Sequence, residues 1–226
     1  MSDAVRQATL SVNHEVKIMS DLFDAERVYA AQSPAELAAE YDRVAESYDA
    51  VLVTQHDWRM PEIMAGIVAW LLPREARILD AACGTGLIGV HLKQYGFTHL
   101  EGLDISAGML EVARRKDAYR SLLCAPLGEH LPYPDASFDA FTVTGAFTPG
   151  HAPAHSLDEL VRITRPGGYG VFSLRDDVDQ PDFHATLADH VAAGRLQMLK
   201  AGAPFQSLPR AEPHVRNRLY VYIKNY

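Results

Sequence analysis

Residues 78–89 read Ile-Leu-Asp-Ala-Ala-Cys-Gly-Thr-Gly-Leu-Ile-Gly, an apolar run that ends in a glycine-rich turn and continues into a second apolar run. The first run predicts a β-strand, and the residues from Leu87 predict a helix. This order of strand, turn and helix lets a ligand approach bare backbone with the helix N–H groups pointing at it. Gly84 and Gly86 supply the positive φ and the absent Cβ that the approach needs. The segment therefore predicts a ligand site, and a tight turn without a ligand is the simpler alternative.

Strand-like and helix-like segments alternate along the chain after this turn. Strands are expected over residues 77–82, 99–104, 121–125, 138–144 and 169–174, and helices over residues 87–94, 106–117, 156–165 and 183–193. Strands separated by helices need crossover connections, so the sheet should be parallel and covered on both faces. The alternating segment 219–223 predicts a half-exposed or edge strand, antiparallel to the others. The fold class is α/β.

The N-terminal part is expected to be helical. The first 30 residues have the apolar spacing of one or two loose amphipathic helices, and a further helix should begin near Pro61. Ser33-Pro34-Ala35-Glu36 places a hydroxyl at an N-cap, proline at N1 and a carboxylate at N3, and Ser156 to Glu159 is a second capping box. We expect a single domain with an N-terminal helical cap over residues 1–72, a ligand-binding core over 76–175 and further elements over 176–226.

Composition limits the partners of the chain. The 226 residues include 21 Lys and Arg against 29 Asp and Glu, a net charge of −8, which disfavours nucleic acid as a partner. The two cysteines indicate a reducing compartment rather than a disulfide framework. No apolar stretch approaches the roughly 20 residues that span a bilayer. We expect a cytoplasmic protein without a membrane partner.

The acidic residues near the turn indicate which ligand it binds. Asp104, at the end of the second strand, suits a ribose diol, and the glycines 84, 86 and 89 fit the G-x-G-x-x-G pattern of dinucleotide sites. Asp80 lies beneath the turn, where a carboxylate would repel a pyrophosphate and attract an ammonium group. S-adenosylmethionine has a ribose, an ammonium and a sulfonium but no phosphate. The electrostatics favour it, and an NAD-dependent oxidoreductase is the remote alternative.

Five segments resemble class I S-adenosylmethionine-dependent methyltransferases. Residues 80–86 resemble the first motif of that family, with Ala82 where its commonest form has glycine. The other similar segments, in the family's order, are residues 41–49 (Tyr-Asp-x-x-Ala-x-x-Tyr-Asp), 103–110, 131–139 and 165–168. A more particular likeness, through residues 82–87, 127–128, 145–146 and 150–153, is to the methyltransferase-like protein of the Williams–Beuren syndrome region and its bacterial relatives. The resemblance implies a Rossmann-like doubly wound sheet of about seven strands, mostly parallel, with an antiparallel C-terminal strand.

The resemblance also implies how the cofactor's methionine and ribose would be bound. Gly84 and Gly86 would pass beneath the methionine portion, and Asp104 would bind the ribose diol. Asp80 would orient the turn and receive the α-ammonium directly or through water. Gly145, at the end of the fourth strand, would present a carbonyl to the same ammonium, unless it is a plain strand terminator.

The adenine would lie between apolar side chains. Ile105 and Met109 would sandwich the ring, although each is equally explained as a core residue. In many relatives an acid after the third strand accepts from the adenine amine. This chain has Leu127 and Gly128 there, so their backbone groups, with Glu129 as an addition, are expected to recognise the base.

The helical cap and the loop after the fourth strand supply the remaining candidates. Tyr48 and Arg59 would contact the cofactor, with Arg59 paired to its α-carboxylate. A surface ion pair would explain Arg59 almost as well. His151 and His155 are candidate general bases, and His56 is a weaker one, if the acceptor must lose a proton. Solvated loop positions would explain these histidines without chemistry.

The resemblance implies an enzyme that transfers a methyl group to a small-molecule acceptor, leaving S-adenosylhomocysteine. The acceptor should be chosen by the cap, the loop 147–155 and the region 176–216. The apolar and aromatic residues of that last region that could line a pocket are Pro181, Phe183, Met198, Phe205 and Pro209. A protein or RNA acceptor, and a cofactor-binding protein without efficient catalysis, are the alternatives.

Overall fold

The computed structural model describes residues 25–226. The amphipathic pattern expected over the first 30 residues lies outside this part, except for its last six residues. The α-helices are α1 (Ala25–Ala30), α2 (Pro34–Asp49), α3 (Met60–Leu71), α4 (Leu87–Gln94), α5 (Ala107–Arg115), α6 (Ser156–Ile163) and α7 (Pro181–Ala192), and a π-helix (Ala50–Gln55) follows α2. The strands are β1 (Arg77–Ala81), β2 (His99–Asp104), β3 (Ser121–Cys124), β4 (Phe138–Val143), β5 (Thr164–Arg175), β6 (Leu196–Ala201) and β7 (Asn217–Lys224).

The seven strands form one sheet in the order β3-β2-β1-β4-β5-β7-β6. Strands β1 to β5 are parallel, whereas β7 is antiparallel to both β5 and β6. This confirms the predicted α/β class and the antiparallel C-terminal strand. The chain leaves β1 towards β3 on one side and returns to β4 on the other, so a crevice opens between the carboxyl ends of β1 and β4.

Both faces of the sheet are buried, as a parallel sheet requires. Neighbouring residues of β1 point to opposite faces. Ile78 packs in the cluster that includes residues of α3 and α4, and Leu79 packs in the cluster that includes residues of α6 and α7. Neither side chain is accessible to solvent. This burial holds the strand that leads into the glycine turn.

The helix-start signals have different outcomes. Ser33 is the N-cap of α2 and accepts from the Glu36 backbone N, while the Glu36 carboxylate accepts from the backbone N of Gln32. The second expected box is wrong. His155 is the N-cap of α6, and the buried Ser156 hydroxyl has no hydrogen-bond partner in the described part of the chain. Glu159, the fourth residue of this box, has other partners: its carboxylate accepts from the backbone N of Leu131 and from the guanidinium of Arg162.

Strand β6 was not expected from the sequence. It pairs only with β7 at the edge of the sheet, and its ladder is irregular between Met198 and Lys200. Four consecutive residues, 197–200, are exposed, so the strand lacks the alternation that marks a half-buried strand. None of the described helices is long and apolar enough to cross a membrane.

Two carboxylates seven residues apart hold α2 over the carboxyl edge of the sheet. Asp42 accepts from the Ser106 hydroxyl at 2.6 Å and from the backbone N of Gly108 at 2.7 Å, at the start of α5. Asp49 accepts from the Thr85 hydroxyl in the glycine turn and pairs with Lys116. Residues two helical turns apart share one face. The aspartates of the two Tyr-Asp pairs, Asp42 and Asp49, therefore attach the cap to the rest of the domain.

Tyr119 explains two of the glycines in the turn. Its hydroxyl accepts from the backbone N of Gly89 at 3.1 Å, and a Cβ on Gly89 would lie 2.3 Å from its Cζ. A Cβ on Gly86 would lie 2.8 Å from the same ring. The third glycine of the G-x-G-x-x-G pattern, Gly89, thus packs against the ring of Tyr119.

We expect Gly89→Ala to lower the free energy of unfolding by about 1–3 kcal/mol, because the added methyl group overlaps the Tyr119 ring. Urea unfolding measures this, and the cost should fall in a Tyr119→Leu background. Gly66→Ala in α3 is the matched control. Its Cβ would be 3.6 Å from the nearest atom, so it should be neutral or stabilising. Equal effects of the two substitutions would contradict the interpretation.

Candidate active site

A cavity of about 450 Å³ lies at the carboxyl ends of β1 to β4, beneath α2. We call it the larger cavity. The ends of the four strands and the loops after them form its floor and walls, with Ala82 and Gly84 after β1, Asp104 and Ile105 at the end of β2, residues 125–129 after β3, and Thr144 to Ala146 after β4. The remaining lining comes from Leu103, Met109, residues 150–153 and the cap residues Ala31, Gln32, Ser33, Pro34, Leu37, Tyr41, Tyr48 and Trp58. Its size is typical of small-molecule sites.

The glycine turn presents bare backbone to this cavity. Gly84 has a φ of +54°, and a Cβ there would have no atom within 4 Å. Ala82 also lies in the left-handed region, with a φ of +59°. Glycine adopts that region without strain, which explains why it is the commonest residue at this point of the motif. Gly86 faces Tyr119 instead of the ligand space.

Asp104 lies at the cavity with its carboxylate fixed in place. One oxygen accepts from the backbone N of Gly84 at 2.7 Å and the other from the backbone N of Ser106 at 2.9 Å. Burial raises the pKa of Asp104 although these donors oppose the shift. A carboxylate offers about four acceptor positions, so acceptor capacity remains beyond these two hydrogen bonds.

Asp80 lies behind the turn. It is 1% exposed, and it accepts from the Tyr119 hydroxyl at 2.6 Å and from the Thr142 hydroxyl at 2.8 Å. Burial raises the pKa of Asp80 to about 6, against the effect of both hydroxyl donors. The structure thus connects Asp80 to the turn through Tyr119 and does not bring it to the cavity wall, so the geometry supports orientation of the turn rather than direct contact with an ammonium.

The segment after β3 forms the end of the cavity expected to hold adenine. Leu127, Gly128 and Glu129 line it, opposite Ile105 and Met109. A tight contact with the loop after β4 shapes this segment: Gly128 has a φ of +100°, and a Cβ there would lie 2.5 Å from the ring of Pro153. Its carbonyl accepts from His155 Nε2 at 3.0 Å.

The structure brings Tyr48 and Gly145 to the larger cavity but leaves Arg59 away from it. Arg59 is exposed and pairs with Asp57 at 2.6 Å. This hydrogen bond lowers the pKa of Asp57 and raises that of Arg59. The surface ion pair considered as the alternative therefore describes Arg59.

The three candidate histidines lie in different surroundings. His151 lines the larger cavity, and its Nε2 lies 2.9 Å from the hydroxyl of Tyr41. His155 is exposed and holds the Gly128 carbonyl. His56 lies near Glu212, away from the larger cavity, and burial lowers its pKa. The contact between Tyr41 and His151 is not indicated by any sequence motif, because the two residues lie 110 positions apart.

A second cavity of about 130 Å³ adjoins the first. We call it the smaller cavity. The residues that line both are Tyr41, Tyr48, Trp58, Thr144, Gly145 and His151. The other residues of the smaller cavity are Val28, Leu52, Met60, Thr148, Ser173, Arg175, Ser207, Leu208, Glu212 and Asn217. Trp58 was not singled out from the sequence, because no motif contains it.

The structure corrects the pocket residues that the sequence predicts in the region 176–216. Phe183 is buried against Phe147 and Phe172, with ring centroids 4.4 and 5.7 Å away. Met198 is exposed on β6. The smaller cavity instead receives Ser207, Leu208 and Glu212 from this region, and Pro181, Phe205 and Pro209 are absent from the lining of both described cavities. Aromatic and apolar composition indicated a pocket but could not distinguish its lining from the core.

Comparison with known proteins agrees with this geometry. A family model for a methyltransferase domain matches residues 79–172. Human methyltransferase-like protein 27 is 40% identical over 168 residues, covering 71% of this chain and 68% of the human protein. The chain belongs to the class I S-adenosylmethionine-dependent methyltransferases. The oxidoreductase alternative is therefore wrong, in line with the position of Gly89 against Tyr119.

Other members of the family are more distant. A demethylmenaquinone methyltransferase from Clavibacter sepedonicus is 36% identical over 149 residues, and the match covers 63% of this methyltransferase and 59% of the relative. The crystal structure of magnesium protoporphyrin IX methyltransferase from Synechocystis with bound S-adenosylmethionine superimposes with a TM-score of 0.65. That match covers 87% of this chain and 99% of the other at 15% identity, so it shows the shared fold. S-adenosylmethionine is the cofactor of the family.

Asp80→Asn tests the buried carboxyl. Burial raises the pKa of Asp80 in the folded methyltransferase to about 6, from the ordinary value of 3.8. Between these pH values the folded protein keeps a proton that the unfolded chain has lost, so the free energy of unfolding falls as pH rises through this window. From about pH 4 to about pH 7, the wild type should lose about 2–3 kcal/mol relative to Asp80→Asn in urea unfolding. The exposed Asp179→Asn is the control and should follow the wild type. A difference that stays constant with pH would contradict the assignment.

Proposed function

We propose that this methyltransferase transfers the methyl group of S-adenosylmethionine to a small-molecule acceptor bound in the smaller cavity. The observation that carries the proposal is the common wall of the two cavities. Six residues line both, and they lie on the cap, directly after β4 and further along the loop that leads to α6. An acceptor in the smaller cavity would therefore be adjacent to the cofactor. The volume of about 130 Å³ favours a small reacting group.

The residues of the larger cavity fit the cofactor. We propose that Asp104 binds the ribose diol, that the Gly84 backbone lies beside the methionine portion, and that Ile105 and Met109 enclose the adenine. The segment 127–129 supplies backbone groups and one carboxylate at that end. When bound, S-adenosylmethionine supplies a methyl group that is already activated on a sulfonium. The chain therefore has to align the acceptor and exclude water, and alignment alone contributes about 7–11 kcal/mol.

The cap covers the site with aromatic side chains. The ring of Tyr48 lies edge-on to Trp58, with 6.3 Å between centroids, and edge-on to Tyr41 at 6.4 Å. These rings belong to the wall between the cavities. We propose that they exclude water from the acceptor. The relatives support a small acceptor, since one of them is named for demethylmenaquinone, and the net charge of −8 disfavours RNA.

Calorimetry with S-adenosylhomocysteine tests the cofactor site. We expect binding by the wild type and by the exposed Asp179→Asn control. Asp104→Asn should weaken binding about 10- to 100-fold, because one charged acceptor of the ribose hydroxyls is lost. Circular dichroism checks that this variant is folded. Unchanged affinity in a folded Asp104→Asn variant would remove Asp104 from the site.

Methyl-labelled S-adenosylmethionine tests the acceptor class. The protein is incubated with the label and a cell extract that has been separated into small-molecule, protein and RNA fractions. We expect labelled product in the small-molecule fraction, and none with Leu208→Trp, whose larger side chain fills the smaller cavity. S-adenosylhomocysteine binding by Leu208→Trp should be unchanged. Label that enters only protein or RNA would contradict a small-molecule acceptor.

A further inference from the structure

Tyr41 and His151 meet at the boundary of the two cavities, although 110 positions separate them in the chain. Tyr41 comes from α2 and His151 from the loop between β4 and α6. The Tyr41 hydroxyl lies 2.9 Å from His151 Nε2, and both residues line both cavities. With the cofactor in the larger cavity and the acceptor in the smaller one, this polar pair would lie between them. That is where a proton would have to leave the acceptor.

The contacts of His151 favour one direction for this hydrogen bond. Its Nδ1 lies 3.3 Å from the carbonyl oxygen of Pro149, which can only accept, so this contact favours the tautomer with the ring proton on Nδ1. The Thr148 hydroxyl, 3.1 Å from the same nitrogen, can also accept. In the neutral ring Nε2 is then an acceptor, and Tyr41 donates to it. Burial lowers the pKa of His151, more than the Pro149 carbonyl raises it. The pair is thus ready to move the tyrosine proton to Nε2.

The smaller cavity has the size of one six-membered ring. Its volume of about 130 Å³ is close to the roughly 150 Å³ of an apolar protein cavity that binds benzene. Leu52, Met60, Tyr48 and Trp58 give it apolar and aromatic walls, while Ser173 and Asn217 add hydrogen-bonding groups. A flat ring with a polar substituent matches this combination.

We propose that the smaller cavity takes a one-ring aromatic hydroxyl and that Tyr41 and His151 together accept its proton during methylation. This inference rests on the proposed function. A phenol and a tyrosine have similar pKa values, so a proton moves between their oxygens with little change in free energy. In this proposal Tyr41 is the catalytic residue because its oxygen would contact the acceptor, and His151 is the final proton acceptor behind it.

The step balances without an oxidant or reductant. The hydroxyl O–H bond of the acceptor breaks, and its oxygen forms a bond to the methyl carbon that the sulfonium releases, with the S–C electron pair staying on sulfur. The acceptor's proton goes to the Tyr41 oxygen as the Tyr41 proton goes to His151 Nε2. His151 becomes an imidazolium and later releases its proton to water.

Other charged groups lie near the pair, and their effects on a pH profile have to be distinguished from those of the pair. Arg175 and Glu212 line the smaller cavity, with 4.0 Å between Arg175 Nη1 and Glu212 Oε2, and Arg175 also bonds Asp177. Asp104 and Glu129 line the larger cavity. A pH profile of the wild type alone therefore does not identify the titrating group, and each effect has to be assigned by substitution.

The first experiment measures binding without turnover. The protein saturated with S-adenosylhomocysteine is titrated with phenol and with toluene, which has the same shape but no hydroxyl. We expect phenol to bind about 10-fold more tightly, and Tyr41→Phe to abolish this preference. Imidazole ¹⁵N spectra at neutral pH should show His151 neutral and protonated at Nδ1, with an Nε2 signal that shifts in Tyr41→Phe.

The second experiment measures methyl transfer to phenol. Tyr41→Phe and His151→Gln should each lower kcat about 100-fold or more, and the double variant should be no slower than the single ones, because the two residues act as a unit. Wild-type activity should be lost on the acid side, below the ordinary pKa of histidine because burial lowers the pKa of His151, and this loss should be absent in His151→Gln. The exposed Tyr95→Phe and His184→Gln are matched controls and should retain wild-type rates.

The outcomes separate this inference from the proposed function. Failure of S-adenosylhomocysteine to bind contradicts both. Cofactor binding with no phenol binding, or phenol binding with no transfer at any pH, overturns the acceptor class alone. Wild-type rates in His151→Gln, or additive losses in the double variant, overturn the proton-accepting role of the pair.

Discussion

The carboxylate of Asp104 joins the two turns on which the site depends. It binds the backbone N of Gly84, after β1, and the backbone N of Ser106, after β2. Ser106 in turn caps α5 and donates to Asp42 of the cap. One buried acid therefore connects the glycine turn, the start of the next helix and, through Ser106, the roof of the cavity. The rest of the arrangement follows from these neighbouring contacts at the carboxyl edge of a parallel sheet.

The sequence was most informative where local chemistry determines structure. The apolar run before Gly84, the serine that caps α5 and the alternation in β7 each depend on residues close in the chain, and the structure has a turn, a helix start and a strand there. Contacts between distant residues could not be predicted in the same way. The approach of Tyr41 to His151 depends on how α2 lies across the loop after β4. The hydroxyl partners of Asp80, Tyr119 and Thr142, lie 39 and 62 positions away in the chain, so no local pattern indicated them.

The two cavities draw on different parts of the chain. The methyltransferase-domain match, residues 79–172, includes the strand ends that form the floor of the larger cavity. Most residues of the smaller cavity lie outside that match, in the cap, the π-helix, the end of β5 and the segment 207–217. Substitutions there would change the smaller cavity while leaving the glycine turn and Asp104 untouched. This division is consistent with the names of similar proteins, which include a demethylmenaquinone methyltransferase and a magnesium protoporphyrin IX methyltransferase.

The attachment of α2 through Asp42 and Asp49 has a thermodynamic consequence. The helix forms the roof of the larger cavity, and the contacts of these two carboxylates with the sheet side lie away from the space for a ligand. A ligand that touches both roof and floor binds only the docked form, so its binding free energy is linked to that of docking. Weakening either aspartate contact would lower affinity without altering a single ligand contact. Affinity in this molecule is therefore a property of how the helix is anchored as well as of the groups that meet the ligand.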